Sequence, residues 1–199
     1  MSNSTRLLFF AGSAREGSFN KRLARLGHDV AEANGIAATL ADLGDYPMPL
    51  YDGDLEARDG PPENAHKLKS LMSVHHGVFI ACPEYNGSIT PLLKNSLDWV
   101  SRVKDEGGGP PTVYKTRVFS LGSASPNALG GLRSMMAVRQ TLELGLRALV
   151  LPDQIAVGRA DNAFEDNGHL KDKAQMALLK TVVEKLARAA HVMRGEDEQ

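Results

Sequence analysis

The stretch R-L-L-F-F-A-G-S-A-R-E-G-S-F-N, residues 6–20, decides how the rest of the chain is read. It opens on an apolar run, Arg6–Ala11, of the length and bounded character expected of a buried strand. Residues 12–18 are turn formers and small polar side chains. Residues 19–34 then place Leu23, Leu26, Val30 and Ala33 at spacings of three and four, the repeat of a helix with one apolar face. Gly35 follows at a favoured C-cap position. Strand, polar turn and helix in that order form the first half of a parallel crossover unit.

The same order recurs downstream. Residues 37–43 read as a second strand, and 44–61, rich in Gly, Pro and Asp, as a loop. Residues 63–74 read as a helix entered through Pro61 and Pro62. The continuous apolar run 77–82 (G-V-F-I-A-C) suits a central parallel strand. Residues 88–103 carry Leu92, Leu93, Leu97 and Val100 on one helical face, and 105–111 is a loop. A fourth strand at 116–121, a helix at 132–146, a fifth strand within 148–157 and a last helix at 170–192 complete the series. Five strands alternating with five helices predict an α/β fold, a doubly wound parallel sheet with helices on both faces. Right-handed crossovers leave few topologies. The flavodoxin-like strand order 2-1-3-4-5 fits, and it puts a ligand crevice beyond the carboxyl ends of the first and third strands.

Composition sets outer bounds. A chain of 199 residues fits one domain over 1–199, with 193–199 expected to be a frayed polar tail. The chain is 42% hydrophobic and 24% charged, with a formal net charge of −1. That balance argues against a general basic footprint for nucleic acid and against an acidic surface that docks by charge alone. Cys82 is the single cysteine, so neither an intrachain disulfide nor a cysteine metal cluster can form. The six histidines are scattered and no metal site is expected. The first apolar run is too short for a signal peptide, and no run approaches the ~20 residues that span a bilayer. A soluble, cytoplasmic protein is the expectation.

Two loops carry the chemistry. In the first, G-S-A-R-E-G-S-F-N over 12–20, helix-start N–H groups favour an anion. Ser13 and Ser18 add hydroxyls, Asn20 an amide, and Arg15 a guanidinium suited to phosphate. The spacing matches neither the dinucleotide nor the nucleoside-triphosphate glycine fingerprint. The plain alternative is a capped helix, with Ser18 as N-cap and Arg15 solvated. In the second, C-P-E-Y-N-G-S-I-T-P over 82–91, Pro83 stiffens the turn and Gly87 permits close approach. Tyr85 offers a ring face, and Asn86 donors and an acceptor for a heterocycle edge. The alternative here is an ordinary turn, with Ser88 capping the next helix and Pro91 in its first turn. A third loop, 120–131, is rich in small residues, with room for a flat ring or simply a flexible surface. Trp99 and Cys82 read as core residues. Arg102 and Arg139 read as interface or solvated cations.

At this point a resemblance enters. G-S-A-R-E-G-S-F-N-K-R-L-A resembles the G-S-x-R-x-x-S-x-N-x-x-L-A signature of the NADPH-dependent FMN reductases. P-E-Y-N-G-S-I-T-P-L-L-K-N-S-L-D-W resembles their second signature, P-E-Y-N-x-S-x-x-x-x-L-K-N-x-x-D-W. The family includes chromate reductases, quinone reductases and azoreductases. The resemblance covers roughly residues 6–157. It implies noncovalent FMN, with Ser13, Arg15, Ser18 and Asn20 at the phosphate. Pro83, Glu84, Tyr85, Asn86 and Gly87 would line the isoalloxazine, and Ser123 would belong to a third flavin loop. That third loop departs from the family pattern, reading S-P-N at Ser125, Pro126 and Asn127 where S-P-G is usual.

The resemblance further implies an NAD(P)H oxidoreductase with ping-pong turnover. NADPH or NADH would give a hydride to the flavin, and a quinone, chromate, azo compound or flavin would then collect the electrons. No side-chain acid or base is required, because the flavin carries the chemistry and Tyr85 and Asn86 position. A small-molecule acceptor and a homodimer or homotetramer are the implied partners. Two rival readings stand beside it: a flavodoxin-like electron carrier, and a non-catalytic flavin-binding or interaction module.

Overall fold

The computed structural model describes residues 5–109 and 111–197. Its centre is the sequence motif that opened the reading. β1 (Arg6–Ala11) is fully parallel to β2 (Ala37–Asp42) on one side and to β3 (Gly77–Ala81) on the other. β4 (Val118–Ala124) and β5 (Leu149–Val157) extend the sheet beyond β3, giving the order β2-β1-β3-β4-β5. The flavodoxin-like order expected from the sequence holds.

Side chains alternate across the sheet, so each strand feeds two cores. Leu7, Phe9 and Phe79 face one core, closed by α1 (Phe19–Ala33) and α7 (Lys173–Asp197). Leu8, Phe10, Val78 and Ile80 face the other, closed by α3 (Glu63–Ser73), α4 (Pro91–Arg102) and α5 (Leu132–Gln140). β1 and β3 are buried on both faces, which is why their sequences read as unbroken apolar runs rather than alternations. α6 (Ala160–Ala163) is a single turn between β5 and α7.

Several boundaries differ from the sequence reading for identifiable reasons. The loop at 44–61 holds a helix, α2 (Gly53–Asp59), started by the Asp52 carboxylate accepting the N–H groups of Asp54 and Leu55. Its apolar positions are too few for a periodic signal, and it has no buried residue. Ser88 does not cap α4. Thr90 does, its Oγ1 accepting the Leu93 N–H at 3.3 Å, with Pro91 at the first helical position. α5 ends at Gln140 and continues as a π-helical turn, Thr141–Gly145. α7 runs on to Asp197, through most of the segment expected to fray; 198–199 lie outside the described residues.

Near the end of the sheet, β5 bulges. Phe119 pairs with Val150, yet Leu121 pairs with Gln154, so two extra residues leave the ladder around Pro152. Arg139 collects the freed acceptors, donating to the Leu151 carbonyl at 2.7 Å and the Val150 carbonyl at 3.3 Å. It also donates to Gln154 and Glu143. Arg102 is likewise paired within the chain, with Glu56 at 2.9 Å. Neither arginine is simply solvated.

Candidate functional site

Beyond the carboxyl ends of β1, β3 and β4 lie the loops 12–18, 82–90 and 125–131. They meet because small residues let them. A Cβ added to Gly12 would come within 2.8 Å of the Leu93 Cβ, so only glycine lets the first loop lie against α4. The Thr90 hydroxyl then donates to the Gly12 carbonyl at 2.7 Å, joining first loop to second. The Ser134 hydroxyl donates to the Pro83 carbonyl at 2.7 Å, joining the second loop to α5.

The first loop delivers a helix start. The opening N–H groups of a helix lack intrahelical acceptors and point back along its axis. In α1 the Ser18 side chain, a buried N-cap, takes the Lys21 N–H. Ser13 is nearly buried, its Oγ accepting the Arg15 N–H at 3.3 Å. Arg15 is exposed with its guanidinium 5.9 Å from the centre of the Phe19 ring, and it pairs with no carboxylate among the described residues. Hydroxyls, helix amides and a cation thus share the first loop, the groups that favour an anion at a helix start.

The second loop ends in a two-residue hairpin. Tyr85 and Ser88 exchange both backbone hydrogen bonds at 3.1 Å, and Asn86 and Gly87 both take positive φ, 51° and 78°. This is the backbone that Asn-Gly favours at a tight hairpin tip. It leaves the Tyr85 ring 54% exposed. Pro83 is buried. Glu84 is turned under the hairpin, its side chain only 3% exposed and paired with Arg133. The Arg133 guanidinium holds the Glu84 carboxyl below its usual range.

Two of the residues singled out from the sequence face inward. The Asn20 amide donates to the Ala124 carbonyl at 2.8 Å and accepts the Ala124 N–H at 3.0 Å, bolting α1 to β4. The Ser123 hydroxyl donates to the Gly130 carbonyl at 2.6 Å and closes the third loop on itself. Ser13, Arg15 and Ser18 gather on the first loop; Pro83 through Gly87 gather on the second. The rest of the second sequence signature does structural work on the far side of α4. The Asn95 and Trp99 side chains both donate to the Pro49 carbonyl, at 2.9 and 2.7 Å. Arg133, which no local pattern marks, is joined to the second loop through Glu84. Cys82 is fully buried and burial pushes its thiol up, so it is no nucleophile.

Among the described residues no group of three His, Cys, Asp or Glu is placed to hold a metal, and no helix is long and apolar enough to cross a membrane.

Residues 5–162 match the family model described as NADPH-dependent FMN reductase. The chain belongs to that family. Among curated relatives, a quinone reductase of Pseudomonas putida is 34% identical over 179 residues, 88% of this chain and 89% of that protein. A quinone reductase of Escherichia coli is 34% identical over 71% of each chain. An NAD(P)H-dependent FMN reductase of Pseudomonas aeruginosa is 29% identical over 98% of this chain and all of that protein. Among solved structures, the flavoenzyme NAD(P)H:(acceptor) oxidoreductase FerB of Paracoccus denitrificans superposes with a TM-score of 0.78. It covers 95% of this chain and 98% of that one at 22% identity, a likeness of fold.

This FMN reductase family member is therefore an NAD(P)H-dependent, flavin-binding oxidoreductase. Its own residues fit the cofactor. An anion-ready helix start and an exposed aromatic hairpin stand at the same end of the sheet, on the loops that flank the β1/β3 switch point. In the second loop Glu84 Oε2 is buried without a hydrogen-bond partner among the described residues, an acceptor that packing alone does not explain.

Proposed function

We propose that this protein holds FMN noncovalently and passes electrons from NADPH or NADH to a quinone. The observation that carries the reading is that the α1 start and the Tyr85–Ser88 hairpin lie on loops that follow the adjacent parallel strands β1 and β3 and are tied together by the Thr90–Gly12 hydrogen bond. Ser13, Arg15, Ser18 and the first-turn amides of α1 would hold the phosphate. The backbone and side chains of 83–87 would line the ring, with Tyr85 and Asn86 as positioning groups. Asn20 and Ser123 would serve by bracing the loops. When bound, FMN supplies the capacity to accept and release an electron pair; the protein supplies binding, orientation and electrostatics.

Donor and acceptor would use the same exposed face in turn, which gives ping-pong kinetics. An open face of this kind is permissive, so chromate, azo compounds and free flavin are secondary acceptors. The relatives named quinone reductase support quinone as the first choice.

A homodimer or homotetramer is part of the reading. Met136 on α5 and Leu144 on the π turn are large apolar residues left 63% and 76% exposed. Leu144 lines a groove between α4 and α5 that also takes in Ser88, the foot of the hairpin. A second copy covering this groove would put the site beside a subunit boundary. A cytoplasmic enzyme without nucleic-acid or membrane partners is consistent with the net charge of −1.

The test is steady-state oxidation of NADPH and NADH against quinones, chromate, an azo dye and FMN, compared by kcat/KM. Parallel double-reciprocal lines with quinone as the best acceptor are expected. Intersecting lines would sink the ping-pong scheme. Flavin uptake without catalytic NAD(P)H oxidation would favour an electron carrier.

A further inference from the structure

The hairpin that carries Tyr85 has little of its own to hold it. The backbone hydrogen bonds of Tyr85 and Ser88 go to each other, and Asn86 and Gly87 sit at the tip in left-handed backbone. What reaches both ends of the hairpin is one side chain of α5, Arg133. At the entry, its Nε donates to Glu84 Oε1 at 3.0 Å and its Nη2 donates to the same oxygen. At the tip, a Cβ on Gly87 would stand 3.7–3.8 Å from the guanidinium. The N–H groups of Arg133 and Ser134 at the start of α5 add to the pull on the carboxylate without forming a hydrogen bond to Oε2.

Glu84 is buried with one oxygen lacking a hydrogen-bond partner among the described residues, while Arg133 is half exposed, so the pair gains only a solvent-screened attraction. The ion pair is therefore poorly explained as a stabilising device. Its geometry explains it better. Two donors of a rigid planar group meet one oxygen of the residue that leads into the hairpin. We propose that Arg133, acting through Glu84, is a positioning residue that sets the pose of the 85–88 hairpin and with it the ring end of the flavin site. The proposal rests on the reading that 83–87 line the ring.

Riboflavin has the ring without the phosphate, so the full chain freed of flavin by dialysis is titrated with FMN and with riboflavin. Arg133→Met is expected to weaken both by the same factor, about tenfold or more. Arg133→Lys, which keeps the charge but not the plane, should fall between the two. Arg15→Ala should weaken FMN and leave riboflavin unchanged. If Arg133→Met alone folds poorly because Glu84 is stranded, the Glu84→Met/Arg133→Met protein restores an apolar pair. It should keep a cooperative melt and still bind riboflavin weakly. Wild-type riboflavin affinity in a folded Arg133 variant overturns the proposal alone, as does a loss confined to FMN. A wild-type chain that takes up neither flavin overturns the flavin reading and the proposal with it.

Discussion

Asn20 and Ser123 show how polar side chains near the crevice can be used on the protein's own backbone. Asn20 stands in the first turn of α1 and Ser123 near the carboxyl end of β4, and both bond backbone atoms of other segments. Cys82 makes the complementary case. It stands at the carboxyl end of β3, beside the ring loop, yet burial pushes its thiol up and hides it from reagents. Native protein at pH 8 should therefore leave Ellman's reagent uncoloured. One equivalent should react on unfolding in guanidinium. Rapid native reaction would mean that the second loop opens.

At the scale of elements, α4 does two jobs on opposite sides. Its N-terminal cap, Thr90, faces the site and ties it to the first loop. Its outer face carries Asn95 and Trp99, which hold the segment leading into α2. The Tyr51 N–H donates to Asn95 at 2.8 Å, and the Tyr51 ring meets Trp99 edge-on, with centroids 5.0 Å apart. Arg102 and the Tyr51 hydroxyl both donate to Glu56 of α2. Trp99 is fully buried in this small outlying cluster. Trp99→Ala should cost about 3–5 kcal/mol in a denaturant titration, the range for emptying a buried aromatic site. A loss below about 1 kcal/mol would show that the 46–56 segment contributes little to folding.

For the molecule as a whole, stability should fall in two steps as pH drops. His75 is buried at the end of α3. Its Nδ1 lies 2.7 Å from the Leu71 carbonyl, which can only accept, so Nδ1 carries the proton and Nε2 accepts from Thr39 at 2.8 Å. Burial lowers its pKa, so the unfolded chain binds the proton first. The contribution is complete above ~6.5 and is lost as pH falls from there toward the lower native value. The Glu84 carboxyl is held low by Arg133, so its contribution is present above ~4.3 and is lost as pH falls through its native value. Urea midpoints from pH 8 to 3 should show both declines. His75→Gln should flatten the first and Glu84→Gln the second; unchanged slopes would place the titrating groups elsewhere.

The sequence alone determined the sheet. Apolar runs at Arg6–Ala11 and Gly77–Ala81, helical periodicity between the strands and polar turns after them are local patterns. Right-handed crossovers then leave few topologies, among which the flavodoxin-like order fits. The two loops of the site were legible for the same reason, each following a strand and opening a helix. The tertiary structure decided which of their residues are spent on internal hydrogen bonds, as Asn20 and Ser123 are. It also decided where α2 docks and that Arg133 pairs with Glu84. Those outcomes depend on partners far apart in the chain: 104 residues from Asn20 to Ala124, 50 from Pro49 to Trp99, 49 from Glu84 to Arg133. Contacts at such separations leave no periodicity in the sequence, because no repeat links a donor to an acceptor on another element. In residues 6–20, the strand, turn and helix were decided by neighbours, and the inward turn of Asn20 by a strand a hundred residues away.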